Sequence, residues 1–123
     1  MVHYTSQVSG IITLGRNVAS SFANSGGCYI QGINGVKIGD NTIFAPGVKI
    51  ISANHSKEDL DKHEKINPVE IGNNCWLGAN VVILPGIAIG NNVIVGAGSV
   101  VTKNFGDNLI LGGIPAKVLR ENL

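Results

Sequence analysis

The sequence predicts an all-β fold, a parallel β-helix of six-residue repeats with one protruding loop and a short C-terminal helix. Three observations carry that expectation. An aliphatic residue returns every six positions, β-branched aliphatics outnumber leucine, and glycine and asparagine are abundant. Of 123 residues, 16 are Ile and 13 Val against 8 Leu, with 17 Gly and 14 Asn. β-branched side chains favour pleated backbone, and Gly and Asn favour turns. The length fits a single domain over residues 1–123.

From Ile71 the chain reads IGNNCW, LGANVV, ILPGIA, IGNNVI, VGAGSV, VTKNFG, so Ile71, Leu77, Ile83, Ile89, Val95 and Val101 are equivalent. In the first half the same period places Val8, Leu14, Ser20, Gly26, Gly32, Ile38, Phe44 and Ile50 at first positions. Fifth positions, among them Asn24, Ile30, Val36, Cys75 and Val93, are expected to face inward with the first. A strand period of two does not restart every six residues, and a helical period of 3.6 would smear the pattern within two units. The chain must therefore turn a corner once per hexapeptide. Three short strands and three corners make a coil of about 18 residues, and five or six coils stacked at roughly 4.8 Å give a column about 25 Å tall. The recurring Gly at second positions and the Asn after it suit tight or left-handed corners.

The register breaks once, between Ile50 and Ile71, at SKEDLDKHEK. Residues 56–65 hold seven of the 17 charged residues, too polar for the core, and read as an inserted loop of the kind that often carries function. After Gly106 the repeats stop. The tail at 107–123 reads as a short strand or turn followed by about two helical turns from Pro115, covering the end or flank of the column.

A net charge of +1 supplies no basic field for a nucleic-acid backbone. No apolar run reaches the roughly 18 residues of a membrane span, and MVHYTSQVSG lacks a signal-peptide profile, so a cytoplasmic protein is expected. Cys28 and Cys75 form no CxxC and are expected to be reduced; no metal is expected.

The hexapeptide run, the NHS before the charged loop, NPVEIGNNCWLGANVVILPGIAIGNNVIVGAGSVVTKN and GGIPAKVLR together resemble the left-handed β-helix acyltransferases. Within these they are similar to the branch of maltose, galactoside and capsular-polysaccharide O-acetyltransferases. The resemblance covers residues 30–120 and is most specific over 66–120. It implies a left-handed coil, against the usual right-handed crossover. It also implies a homotrimer with active sites between subunits and acetyl-coenzyme A as donor.

Acetyl transfer from a thioester to a hydroxyl needs a base, an oxyanion donor and a slot that holds the thioester. His55, directly before the loop, falls where the family's catalytic histidine stands, while His63 and His3 read as solvated. No carboxylate is singled out to orient His55; Asp59, Asp61, Glu64, Glu70 or a backbone carbonyl could serve. The resemblance assigns the oxyanion to the backbone N–H of Ala79. It sets Ala97, Thr102 and Lys103 along the pantetheine arm and Lys117 and Arg120 near the nucleotide phosphates, where cations suit the charge. Asn24, Tyr29 and the lone tryptophan, Trp76, are candidate acceptor contacts, with internal amide pairing for Asn24 and subunit packing for Trp76 as alternatives. The stretch SSFANSGGCYIQGINGVKIGDN lacks the paired asparagines of the sugar acetyltransferases, which points to a surface-glycan or nucleotide-sugar acceptor. Three other functions remain open: N-acetylation of an amino or nucleotide sugar, a zinc hydratase resembling the gamma carbonic anhydrases, and a non-catalytic scaffold.

Overall fold

One short strand per repeat forms along the second half of the chain in the computed structural model, which describes residues 1–123. In order, the elements are β1 (Gln7–Leu14), α1 (Ala19–Asn24), β2 (Tyr29–Ile38), β3 (Ile43–Phe44), β4 (Lys49–Ile51), β5 (Val69–Ile71), β6 (Trp76–Leu77), β7 (Val82–Ile83), β8 (Ala88–Ile89), β9 (Ile94–Val95), β10 (Val100–Val101), β11 (Leu109–Gly112) and β12 (Lys117–Glu121). They coil into a parallel β-helix with three faces. The first face stacks the start of β1, the start of β2, then β4, β7 and β10. The second stacks the ends of β1 and β2, then β5, β8 and Phe105. The third stacks β3, β6, β9 and β11, with β12 antiparallel on its edge.

On each face a line of apolar side chains points inward. Ile30, Ile50, Ile83 and Val101 stack on the first face, Ile38, Ile71 and Ile89 on the second, and Phe44, Leu77, Val95 and Leu111 on the third. All are buried, and each large aliphatic side chain removed from water contributes about 1.5–3 kcal/mol. First positions, together with buried fifth positions such as Val36, Val48, Val81 and Val93, are thus the core of the column.

Corners are made by asparagine. Asn41, Asn74, Asn92 and Asn108 have φ of 59°, 55°, 56° and 59°, the left-handed region that Asn tolerates better than other side chains. Each donates its backbone N–H to the same corner one coil away, at 2.7, 2.8, 2.9 and 2.9 Å to the carbonyls of Arg16, Asp40, Asn73 and Asn91. The second-position glycines Gly39 and Gly72 serve close approach instead. A Cβ at either would collide with the backbone of the next coil.

Two expectations are corrected. In the first half, Ile30 rather than Gly32 stacks beneath Ile50, and Ser20 and Gly26 hold no strand position. β2 is the cause, running unbroken through a corner so that Tyr29–Gln31 pair with β4 and Val36–Ile38 with β5. Residues 19–24 form a helix because the lower edge of β3 is met by side chains. Ser21 Oγ accepts from the Phe44 N–H at 3.3 Å, Ser25 Oγ donates to the Phe44 carbonyl at 2.8 Å, and the Phe22 ring meets Phe44 edge-on at 4.9 Å. Asn24 is consequently exposed at the end of α1, not inward.

The second correction concerns the tail, where a strand replaces the expected helix. Residues 117–121 are all exposed, so a helix there would have no buried face to stabilise it. The free edge of β11 offers backbone partners instead, and Asn122 locks the strand end through Asn92 at 3.1 Å and Asn108 at 2.9 Å. The one helix has six residues, and no helix is long and apolar enough to cross a membrane.

Candidate active site

At the corner between the third and first faces, the residues that follow β3, β6 and β9 leave a groove of about 310 Å³. Ala45, Gly78, Ala79, Gly96 and Ala97 are small, so the coils recede, while Trp76, Ile94 and Val95 form the apolar wall. Trp76 stands outward on β6 between Ile43 and Ile94, with 52% of its surface exposed. The indole therefore overhangs the slot rather than filling the core.

Within this groove the backbone is not fully satisfied. The N–H groups of Gly78, Asn80, Gly96 and Gly98 donate to Val95, Pro46, Leu111 and Ala79 carbonyls at 2.8–3.1 Å, whereas those of Ala79 and Ala97 have no acceptor in the chain. Backbone N–H groups left open at a concave apolar surface are suited to a carbonyl or oxyanion brought from outside. Behind the wall, Cys75 is buried and its thiol is pushed up by that burial, so it is no nucleophile at neutral pH.

Lys117 and Arg120 lie on the same face. A bulge in β12 pairs Arg120 with Ile110 and Lys117 with Gly112, two alternate positions of β11, so both cations share one side despite their odd spacing. Ile110 in turn stacks on Ile94. The cations thus continue the line of Trp76 and Ile94 along the column.

The structure separates the other candidates from this groove. Thr102 and Lys103 follow β10 at the far edge of the first face, and Lys103 Nζ sits 5.6 Å from the Phe105 ring centroid. His55 follows β4 at that same edge, exposed at the base of the charged segment. No carboxylate hydrogen-bonds to it; its ring stacks instead on His63, 4.9 Å between centroids at 28°. Tyr29 is half-buried on the first face beside Lys49, between the two edges. Asn24 lies on α1, beneath the third face. A second groove, of about 390 Å³ between Gly15, Gly39, Gly72 and Gly90, holds one candidate, Glu70, whose carboxylate meets Lys37 Nζ at 3.6 Å instead of His55.

Three residues at the His55 edge were not legible as functional. Gln31 Oε1 accepts from the N–H groups of Ser52 and Ala53 at 3.2 and 3.0 Å, and Asn34 Nδ2 donates to the carbonyls of Ser52 and Glu64 at 3.0 and 2.8 Å. Both side chains come from β2 and tie down the segment that carries His55. His63 is the third. It stands eight positions from His55, a spacing that the antiparallel bridge between them turns into direct opposition.

Residues 68–103 match the family model described as bacterial transferase hexapeptide, six repeats. The chain is 40% identical over 113 residues to galactoside O-acetyltransferase of Escherichia coli (strain K12), covering 89% of this chain and 54% of that protein. Among solved structures it resembles a maltose O-acetyltransferase from Clostridium difficile 630, with 41% identity, TM-score 0.78, and coverage of 89% and 58% of the two chains. It also resembles a galactoside acetyltransferase in complex with coenzyme A, with 33% identity, TM-score 0.78, and coverage of 96% and 64%. The chain spans about half the length of the curated relatives it matches. With a hexapeptide column built residue by residue, the chain carries the bacterial transferase hexapeptide repeat over residues 68–103 and is similar to galactoside and maltose O-acetyltransferases on both comparisons.

Proposed function

We propose that this protein is an acetyl-coenzyme A dependent O-acetyltransferase acting on a sugar or surface-glycan hydroxyl. The observation that carries the reading is the groove under Trp76, an apolar slot lined by Ala79, whose N–H has no acceptor in the chain. The relatives named galactoside and maltose O-acetyltransferase, and the coenzyme A bound in one of them, support the donor and the acceptor class. In the same reading the column is left-handed and residues 1–123 form one domain.

His55 takes the proton of the acceptor hydroxyl as its oxygen attacks the thioester carbonyl carbon. The resulting oxyanion accepts a hydrogen bond from the Ala79 N–H, the C–S bond breaks, and the proton passes from His55 to the departing thiolate. Ala97, Thr102 and Lys103 line the pantetheine arm, Lys117 and Arg120 meet the phosphates, and Asn24, Tyr29 and Trp76 contact the acceptor. In one chain, however, the Ala79 groove and His55 occupy opposite edges of the first face. The site is completed when the groove of one copy meets the His55 edge of its neighbour, as in a closed trimer.

The test is acceptor-dependent thiol release from acetyl-coenzyme A over a panel of mono-, oligo- and nucleotide-sugars, with native protein and His55→Ala in parallel. Release that collapses in the variant is expected. Release undiminished in His55→Ala would overturn the assignment of the base, and acetylation of amino groups only would replace the O-acetyl reading by the N-acetyl one.

A further inference from the structure

We propose that His63 is a positioning residue for His55, acting through its stacked ring within a small ribbon that Asn34 clamps to the column; this rests on His55 being the base. Residues 54–56 and 62–64 run antiparallel, joined by Ser56 N–H to the Lys62 carbonyl at 2.7 Å and Glu64 N–H to the Asn54 carbonyl at 2.9 Å. Those two bonds flank His55 and His63 and make them a non-hydrogen-bonded pair, the arrangement in which facing side chains come closest. The rings respond by stacking at 4.9 Å and 28°. A slip of one residue would turn His55 to the other side of the ribbon, so the register matters to the direction in which the base points.

The ribbon would be a free loop without its anchor. Asn34 supplies one. Its Nδ2 donates to Ser52 on one leg and Glu64 on the other, at 3.0 and 2.8 Å, while its backbone N–H donates to Ser52 Oγ at 2.9 Å. One half-buried amide thus fixes both legs to β2 just below the histidine pair. Since no carboxylate holds the His55 imidazole, the flat face of His63 is the neighbour that limits its rotation.

The experiment compares His63→Ala, which removes the ring, with His63→Phe, which keeps the flat face and removes both nitrogens, using the intact chain. Two quantities are read: steady-state thiol release, and the ring proton shifts of His55 in histidine-labelled protein. In His63→Ala we expect kcat to fall about tenfold to a hundredfold, the scale of a misplaced catalytic group, with KM for acetyl-coenzyme A unchanged, and the His55 ring shifts to move. His63→Phe is expected to retain kcat within about threefold and a ring-current shift on His55. A kcat in His63→Ala within about twofold of native, or a His63→Phe as impaired as His63→Ala, would overturn the positioning role. His55 shifts indifferent to His63→Ala would overturn the stack whatever the activity. A fully active His55→Ala would instead remove His55 as the base, and this role with it.

Discussion

Two glycines in the same groove should behave oppositely when given a methyl group. Neither Gly78 nor Gly96 has a positive φ, so alanine is compatible with both backbones, and the contrast lies in space alone. A Cβ on Gly78 would stand 2.7 Å from the Ala97 nitrogen and 3.0 Å from both Ala97 Cα and the Val95 oxygen, all backbone of the next coil. On Gly96 it would meet only the Leu111 oxygen at 3.4 Å and Ser99 Oγ at 3.8 Å. Relieving the first clash to an ordinary contact of 3.4 Å moves the coils apart by about 0.7 Å. That motion stretches the bonds from Gly78 N–H to Val95 and from Gly98 N–H to Ala79, now 2.9 and 2.8 Å, to about 3.5 Å, where a hydrogen bond has largely gone. Two such bonds at about 0.5–1.5 kcal/mol each give a loss of about 1–3 kcal/mol. For a chain of 123 residues at about 2.1 cal/mol/K each, Tm falls by about 4–12 °C. Gly96→Ala should leave Tm unchanged or raise it by up to about 4 °C, since it restricts only the unfolded chain. The assay is thermal unfolding followed by circular dichroism at one fixed protein concentration, because any assembly makes Tm concentration-dependent. Equal losses in the two variants, or an unperturbed Gly78→Ala, would refute the argument that coil spacing is set by these glycines.

Two further outcomes follow from the corners. Asn74 has φ of 55° and its side chain makes no hydrogen bond, so Asn74→Ala tests backbone strain alone; it should cost about 1–2 kcal/mol in urea unfolding while Asn74→Gly costs nearly nothing, and similar losses in both would refute the strain. Asp40 accepts the Arg16 backbone N–H at 2.8 Å and its guanidinium at 3.1 Å, and these bonds hold the carboxyl below its ordinary 3.8. A lowered folded value means that the contribution is present above 3.8 and is lost as pH falls through the lowered value. Asp40→Asn should therefore differ from native by a constant amount in urea unfolding above about pH 5, and the difference should shrink below the ordinary carboxylate range; a gap that persisted to about pH 2 would count against it.

What the sequence made legible follows from how each feature is encoded. The period of six is carried by one buried side chain per repeat, and from Ile71 to Val101 every first position is aliphatic, so strand, corner and core were readable together. The first half failed where β2 passes a corner without ending, because Gly10 and Gly32 let two coils touch and the extra residues left no mark in composition. The helix at 19–24 is held by Ser21 and Ser25 hydrogen bonds to a strand edge, a tertiary cause that a six-residue stretch cannot announce. The tail misled for a related reason. Pro115 followed by KVLRE has ordinary helix chemistry, and only the free edge of β11 decides for a strand. At the site, the residues in the column, Trp76, Ala79 and Ala97, fell together because the repeat places them, whereas the partner of His55 depended on the pairing register of an irregular segment.

That division also bears on why the candidate site straddles two corners. A rigid column fixes a donor slot well, since residues after β6 and β9 repeat at the coil spacing and the slot needs only small side chains there. The repeats leave a base few places, because their first and fifth positions are buried and every left-handed corner position is Gly or Asn. The histidine therefore sits where the repeat is interrupted, on a segment the column must then hold by side chains, Gln31 and Asn34. The interruption falls after the first face and the slot before it, so the width of a whole face separates them within one chain. Dilution offers the direct check on the assembly this demands. Turnover per chain should fall as the oligomer dissociates, and monomers with full turnover would refute a site shared between copies.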